Sequence, residues 1–318
     1  MLISKRILFL SPDFFNYSNL IKLHLESGGN SVSLFSIRPT GWLSKASLYF
    51  TDEYYRRITL NHYSKLLNNL EENYDYILII RADLIPTDYL RKLKDKYPLA
   101  KFIQYIWDDI DLVPKLPDTF KYFDRVLSYD LFDSRKFNLV FRPFFFVNRK
   151  EKSNNVKPVN TELFFVGSFH TDRVSVLEKV IDLNPGIKFN YHFYINPLTF
   201  LANRIPISKM HLFKFRKVKY HDMIRTIENS LSVLDIQHAS QHGLTTRIYE
   251  ALGAKSKIAT TNRNIMEYDF YNENNILVID RDNPVINKSW LELPYVEYDY
   301  ELLIRYSISN WILDIFNT

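Results

Sequence analysis

The chain has 318 residues with 46% hydrophobic and 16% aromatic content, which excludes a disordered protein and suits two domains of ordinary size. It contains no cysteine, which excludes disulfides and thiolate metal sites and fits a reducing cytoplasm. The net charge of +5 points to an anionic partner.

The residues from Met1 to Arg6 run straight into a short apolar strand, too short for the apolar region of a signal peptide. Arg6 to Ser11 is expected as a buried strand, followed by a helix from Tyr17 to Ser27 stopped at Gly28-Gly29, and a strand from Ser31 to Ile37. A helix over Asp52–Glu72, a strand over Tyr76–Arg81 and a short helix over Pro86–Lys96 come next. Strands at Lys101–Trp107 and Arg125–Tyr129, a helix at Asp130–Phe137 and a strand at Leu139–Phe141 complete the first half. Strands alternating with helices predict a parallel sheet covered on both faces.

The polar run Asn148–Asn155 before Pro158 reads as a linker, giving an N-terminal Rossmann-like domain at 1–147, a linker at 148–158, a second Rossmann-like domain at 159–299 and a terminal helix within 300–318. The second half repeats the alternation. Strands are expected at Leu163–Val166, Asn190–Ile195, Phe213–Val218, Ser232–Ile236, Lys257–Thr260 and Asn275–Ile279. Helices are expected at Asp172–Leu183, Tyr220–Asn229, Thr245–Leu252, Asn264–Phe270 and Tyr300–Phe316. Two α/β halves predict a cleft faced by strand C-termini.

The most informative stretch is His242-Gly243-Leu244-Thr245-Thr246-Arg247-Ile248-Tyr249-Glu250-Ala251-Leu252-Gly253, read as a glycine turn feeding a helix that a second glycine stops. Such a turn aims backbone N–H groups and the positive helix end at one spot, where a phosphate fits. Arg247 adds a charge-assisted donor, and Glu250 lies on roughly the same face, placed to accept from a pair of sugar hydroxyls. The spacing suits a nucleotide diphosphate, although Arg and Glu three apart on a helix also make ordinary surface pairs.

A second turn of this kind is Gly167-Ser168-Phe169-His170, followed by Asp172-Arg173. Gly167 is read as letting backbone approach a ligand, with His170 and Arg173 as contacts; the alternative is a helix capped by Asp172. In the first half, Asp108, after the strand ending at Trp107, is placed as a general base, with Asp13 in the loop after the first strand as its competitor. Arg38 and Arg81, at the ends of the second and third strands, are placed to orient an acceptor. Asp109 and Asp111 have Asp-x-Asp spacing, but a pyrophosphate held by helix ends and arginine needs no cation, so neither a metal nor another cofactor is expected.

Basic clusters at Lys209, Lys214, Arg216, Lys217 and Lys219, and at Arg91, Lys92, Lys94 and Lys96, fit an anionic membrane surface as well as or better than nucleic acid, for which no motif is present, with a solvated helix face as the default for each cluster. No stretch approaches the ~20 apolar residues of a membrane span. The expected location is the cytoplasm, at the inner face of the plasma membrane.

Two α/β halves carrying Gly243 to Gly253, then Lys257 to Asn262, Tyr268 to Tyr271 and Asn275 to Arg281, resemble the bacterial glycosyltransferase-like proteins of lipopolysaccharide and capsule biosynthesis, of GT-B architecture. The resemblance implies two Rossmann-like domains facing a cleft, a nucleotide-sugar donor in the C-terminal half and a glycan or glycolipid acceptor mainly in the N-terminal half. It implies that Glu250 holds the ribose, that the Gly243–Thr246 turn cradles the pyrophosphate and that His242 stands where many retaining members carry a first glutamate. That departure favours inverting displacement. A binding protein on a degenerate GT-B fold and a nucleotide-sugar epimerase are the rival readings.

Overall fold

The structure is a computed structural model that describes residues 2–12, 16–39, 52–147, 161–170 and 172–317. The chain forms two compact units, one of Met1–Pro143 with Ile308–Thr318 and one of Phe144–Ser307. The linker expected at 148–158 lies outside the described residues.

The first unit is built on a parallel sheet of β1 (Arg6–Ser11), β2 (Ser31–Ser36), β3 (Tyr76–Ile80), β4 (Lys101–Ile106), β5 (Arg125–Ser128) and β6 (Val140–Phe141), in the order β2-β1-β3-β4-β5-β6. Helices cover both faces, so the central strands read as continuous apolar runs: Ile7 to Leu10 and Ile77 to Ile80 are fully buried. The helices in order are α1 (Tyr17–Ser27), α2 (Asp52–Asn68), α3 (Thr87–Lys96) and α4 (Leu131–Phe137). Gly29, at φ +83°, takes the left-handed turn after α1 that a side chain would resist. Asp130 caps α4, accepting from the Phe132 amide at 2.8 Å.

In the second unit the sheet has β7 (Thr161–Ser168), β8 (Phe189–Tyr194), β9 (Ser230–Asp235), β10 (Lys257–Thr260) and β11 (Ile276–Val278), all parallel, in the order β11-β10-β9-β7-β8. Its helices are α5 (Arg173–Leu183), α6 (Pro197–Ala202), α7 (Tyr220–Glu228), α8 (Thr246–Ala254), α9 (Lys288–Glu292) and α10 (Tyr300–Ile304). The final helix, α11 (Ile308–Phe316), belongs to the first unit, where Trp311 packs edge-on against Tyr105 at 4.9 Å. Both sheets therefore share one doubly-wound order, whose direction reverses between the first and third strands of each sheet.

Several local expectations change. The segment Phe213–Val218 is not a strand: among the described residues its one β-bridge to the sheet edge is at Lys214, paired with Tyr194. The helix expected at Asn264–Phe270 is a 3-10 turn over Arg263–Glu267, capped by Asn262 accepting from the Asn264 amide at 3.0 Å. Gly253 does not stop its helix; α8 runs through it and ends at Lys255, left-handed at φ 56°. The terminal helix expected at Tyr300–Phe316 is two helices, α10 and α11.

Candidate functional site

The reversal in the second sheet lies between β7 and β9, and the side chains beyond their C-terminal ends form one connected set. Arg173, the first residue of α5 and 5% exposed, donates through Nε to the Ile236 carbonyl at 2.6 Å and through Nη1 to the Ser168 carbonyl at 3.0 Å. One guanidinium thus ties the ends of the two strands at the reversal. Burial pushes its pKa down to about 10, reinforced by the charge of Arg247 and opposed by Asp235 and Asp172.

Arg281, just beyond β11, donates to Asp172 through Nε at 2.9 Å and through Nη2, to the Gln237 carbonyl at 3.0 Å and to Thr261 Oγ1 at 3.2 Å. Arg247, half-buried in the first turn of α8, has no hydrogen-bond or ion-pair partner among the described residues. Of these three arginines only Arg281 is hydrogen-bonded to a carboxylate. Concentrating guanidinium groups at a partly desolvated position costs free energy, which Asp172 and Asp235 offset in part and which a bound anion would offset further.

The helix ends support the same reading. Thr245 occupies the N-cap of α8 but does not cap it; its hydroxyl donates instead to Asp235 Oδ1 at 2.7 Å. Asp235, 1% exposed at the end of β9, also accepts from Thr260 at 3.1 Å, so one buried carboxylate fixes the start of α8 against two strand ends. The first-turn amides of this nine-residue helix are left without a side-chain cap. Asp172 is diverted in the same way at the start of α5, bonded by Arg281 rather than by its own helix, which replaces the expected capping role. Its Oδ1 is buried with no partner among the described residues.

Asn262 fixes the turn before α8 by donating to the carbonyls of His242 at 3.1 Å and Gly243 at 3.2 Å, while Asn264 donates to the His242 carbonyl at 3.1 Å. Leu244, expected among the donor contacts, has no accessible surface and serves as the apolar anchor under this turn. Gly167 has a packing reason besides the one expected: a Cβ there would lie 2.8 Å from the Phe165 ring, so the glycine makes room for that side chain.

His170 is exposed at the edge of the set, its ring 5.7 Å from that of His238 in an edge-to-face pair. Partial desolvation, then the charges of Arg173, His238 and Arg247, push its pKa down to about 4, so it is neutral at physiological pH. Glu250, three residues beyond Arg247 and 2% exposed, accepts from the Tyr220 hydroxyl at 2.7 Å. Thus His170, Arg173, Thr245, Arg247 and the Gly243 turn assemble around one strand-end reversal. Arg281, Asn262, Asn264 and Tyr220 join the set without having been expected. The Asp280-Arg281 dipeptide after a short strand is the one local signal that pointed to Arg281.

In the first unit, Arg81 follows β3 in a left-handed backbone conformation, φ 64° and ψ 57°. Its guanidinium donates to both oxygens of Asp83, at 2.9 and 3.0 Å, and to Asp108 two residues beyond β4. Burial alone would lower the pKa of Arg81, but these bonds and the two carboxylate charges hold it above its ordinary value. Arg81 and Asp108, expected in separate roles, are therefore partners. Arg38 is exposed past β2, and Asp13 lies outside the described residues. The Asp-x-Asp pair is split: Asp109 accepts from the Tyr129 hydroxyl, and Asp111 from Lys136 at 2.6 Å. Among the described residues, no helix is long and apolar enough to cross a membrane.

No protein-family model matches the chain. No curated protein sequence matches it either. Solved structures do. An α-glucosyltransferase in complex with UDP and a 13-mer DNA is similar over 99% of both chains, with a TM-score of 0.61 at 13% identity. AviGT4, a glycosyltransferase involved in avilamycin A biosynthesis, is similar over 98% of this chain and 96% of its own, with a TM-score of 0.59 at 10% identity. The apo form of the lipopolysaccharide outer core galactosyltransferase WaaB is similar over 98% of both chains, with a TM-score of 0.53 at 12% identity. At these identities the likeness is one of fold, and the fold is that of the GT-B glycosyltransferases.

Proposed function

We propose that this chain is a glycosyltransferase that moves a sugar from a nucleotide-sugar to a hydroxyl of a surface glycan or lipid-linked glycan, in lipopolysaccharide or capsule synthesis. The observation that carries this reading is the set of three guanidinium groups at the β7/β9 reversal, only one of them bonded to a carboxylate, beside the uncapped start of α8. Diphosphate is the ligand chemistry that matches: two charged groups, many acceptor oxygens and no donor. Glu250, oriented by Tyr220, is the acceptor for the ribose hydroxyls, and the Gly243–Thr246 turn supplies backbone donors.

In the transfer, the acceptor oxygen bonds to the anomeric carbon as the bond from that carbon to the phosphate oxygen breaks, and the electron pair leaves on the diphosphate. Arg247, Arg173 and the α8 amides stabilise that charge. The acceptor proton passes to a carboxylate, Asp108 oriented by Arg81, with Asp13 as the alternative base. We read the displacement as inverting and independent of a metal.

A glycan acceptor is supported in this reading by three lysines of the first unit that are engaged internally rather than free for a polyanion. Lys94 bonds Asp124 at 3.3 Å and lies over the Phe102 ring, Lys96 donates to the Leu67 carbonyl at 3.2 Å, and Lys136 pairs with Asp111. One fold relative is itself an outer core galactosyltransferase.

The test is a thermal-shift panel of UDP, GDP, CMP and dTDP with their sugars, since a ligand that binds only the folded state raises the midpoint. The proposal expects a rise with one nucleotide that is lost in Glu250→Gln. No rise with any of them would favour a binding protein on this fold, and conversion of a nucleotide-sugar without an acceptor would favour an epimerase.

A further inference from the structure

The segment from Asn196 to His221 contains six lysines and arginines and no acidic residue, which leaves 35 cations against 36 acids in the rest of the chain. The whole positive excess of the protein therefore sits on 26 residues of the second unit. Lys209 is the one of the six that is neutralised, by Glu178 at 2.8 Å. Arg204, Lys214, Arg216, Lys217 and Lys219 have no carboxylate partner among the described residues.

The same segment exposes large apolar side chains. Leu198 and Leu201, three apart on α6, are 61% and 70% exposed. Ile207 and Met210, three apart on the following 3-10 turn, are 80% and 48% exposed, and Phe215 is 39% exposed. Residues at this spacing share a face. The opposite side of each element is anchored: Phe200 is buried, with its ring 5.8 Å from Phe213 and 5.7 Å from Phe215, and Leu212 is buried. Asn196 caps α6, accepting from the Leu198 amide at 2.9 Å. The aliphatic side chains are thus held outward on a packed platform.

We propose that this face docks the protein on an anionic lipid membrane, with Leu198, Leu201, Ile207 and Met210 entering the acyl boundary and Lys214, Arg216 and Lys217 meeting lipid phosphates. Exposed aliphatic residues interleaved with unpaired cations form the pattern of a membrane-surface element. A nucleic acid would reward the cations but leave four aliphatic side chains in water. An acidic protein partner would need a hydrophobic patch of matching shape, whereas a bilayer requires none. The inference does not depend on the donor-site reading, because docking is measured with no nucleotide present.

The experiment is co-sedimentation of the full chain with vesicles of phosphatidylcholine alone and of phosphatidylcholine mixed with phosphatidylglycerol, with duplex DNA as the alternative polyanion. Binding is expected only to the phosphatidylglycerol vesicles, weakened roughly thirtyfold in Arg216→Gln/Lys217→Gln, since each basic side chain near the surface contributes on the order of 1 kcal/mol. Leu201→Ser/Ile207→Ser is expected to weaken it several-fold further and to remove the binding that survives high salt. All four positions are exposed. Unchanged thermal midpoints confirm that the variants fold. No binding to phosphatidylglycerol vesicles overturns the proposal. So does binding that is indifferent to the Leu201/Ile207 pair and matched by DNA, which would mark a simple polyanion site.

Discussion

At the end of β3, Arg81 is bonded to Asp83 and Asp108; at the end of β7, Arg173 is bonded to two carbonyl groups, with Arg247 unpaired beside it. The two sheets wind in the same order and reverse at the same place, so topology brings side chains to both reversals alike. What differs is charge. The first unit neutralises its cation within the protein, which suits an uncharged, hydroxylated ligand. The second ties Arg173 to carbonyl groups and leaves Arg247 without a partner among the described residues, although Asp172 and Asp235 lie close by; in the proposed reading a diphosphate meets these cations. One layout thus holds the arginine at its reversal in two ways, by carboxylates in the first unit and by carbonyl groups in the second, a difference that fold similarity alone does not carry.

The largest effect should come from breaking the neutralised side. Arg81→Ala leaves Asp83, whose side chain is 7% exposed, and Asp108 without their shared partner, and should cost about 3 kcal/mol of the first unit's stability in urea unfolding. Nucleotide affinity should not move. Unchanged stability would mean that the Arg81 pairs are only surface contacts.

A smaller effect, about 1 kcal/mol after allowing for the exposure of the residue, is expected from His170. Its folded pKa of about 4 lies below the ordinary 6.5, so between these values the unfolded chain binds more protons than the folded one. Stability is therefore fully present above pH 6.5 and falls as the pH drops toward 4. His170→Gln should flatten that slope in a series of thermal midpoints. A bound diphosphate supplies the missing negative charge and should flatten it as well. A slope unchanged by either would show that the guanidinium charges do not reach His170.

Much of the fold was legible because each element announces itself locally. β1 and β10 have the predicted limits, since a buried parallel strand is a short apolar run between polar ends. The start of α8 was legible from the glycine turn and the two threonines, although not their actual work: Thr245 serves Asp235 rather than its own helix. Phe213–Val218 misled because its start, Phe-Lys-Phe-Arg, alternates like a strand, yet beyond the Lys214 bridge no strand pairs with it among the described residues. Gly253 misled because a small residue also serves inside a helix that is buried nearly all round. Arg281 and Asp172 are 109 residues apart, and no spacing rule connects them. The charge contrast between the reversals was equally hidden, because Arg81 and Arg173 look alike until their partners are placed.

The contrast is tested most directly by calorimetric titration of inorganic pyrophosphate, a probe indifferent to the base and sugar, into the wild-type chain and Arg247→Ala. Arg247 has no partner to abandon, so its loss should leave the thermal midpoint unchanged while weakening pyrophosphate binding by about 10- to 100-fold, the contribution of one charge-assisted donor. Equal affinity in the two proteins, or no pyrophosphate binding by the wild type, would contradict the assignment of the β7/β9 reversal as a diphosphate site.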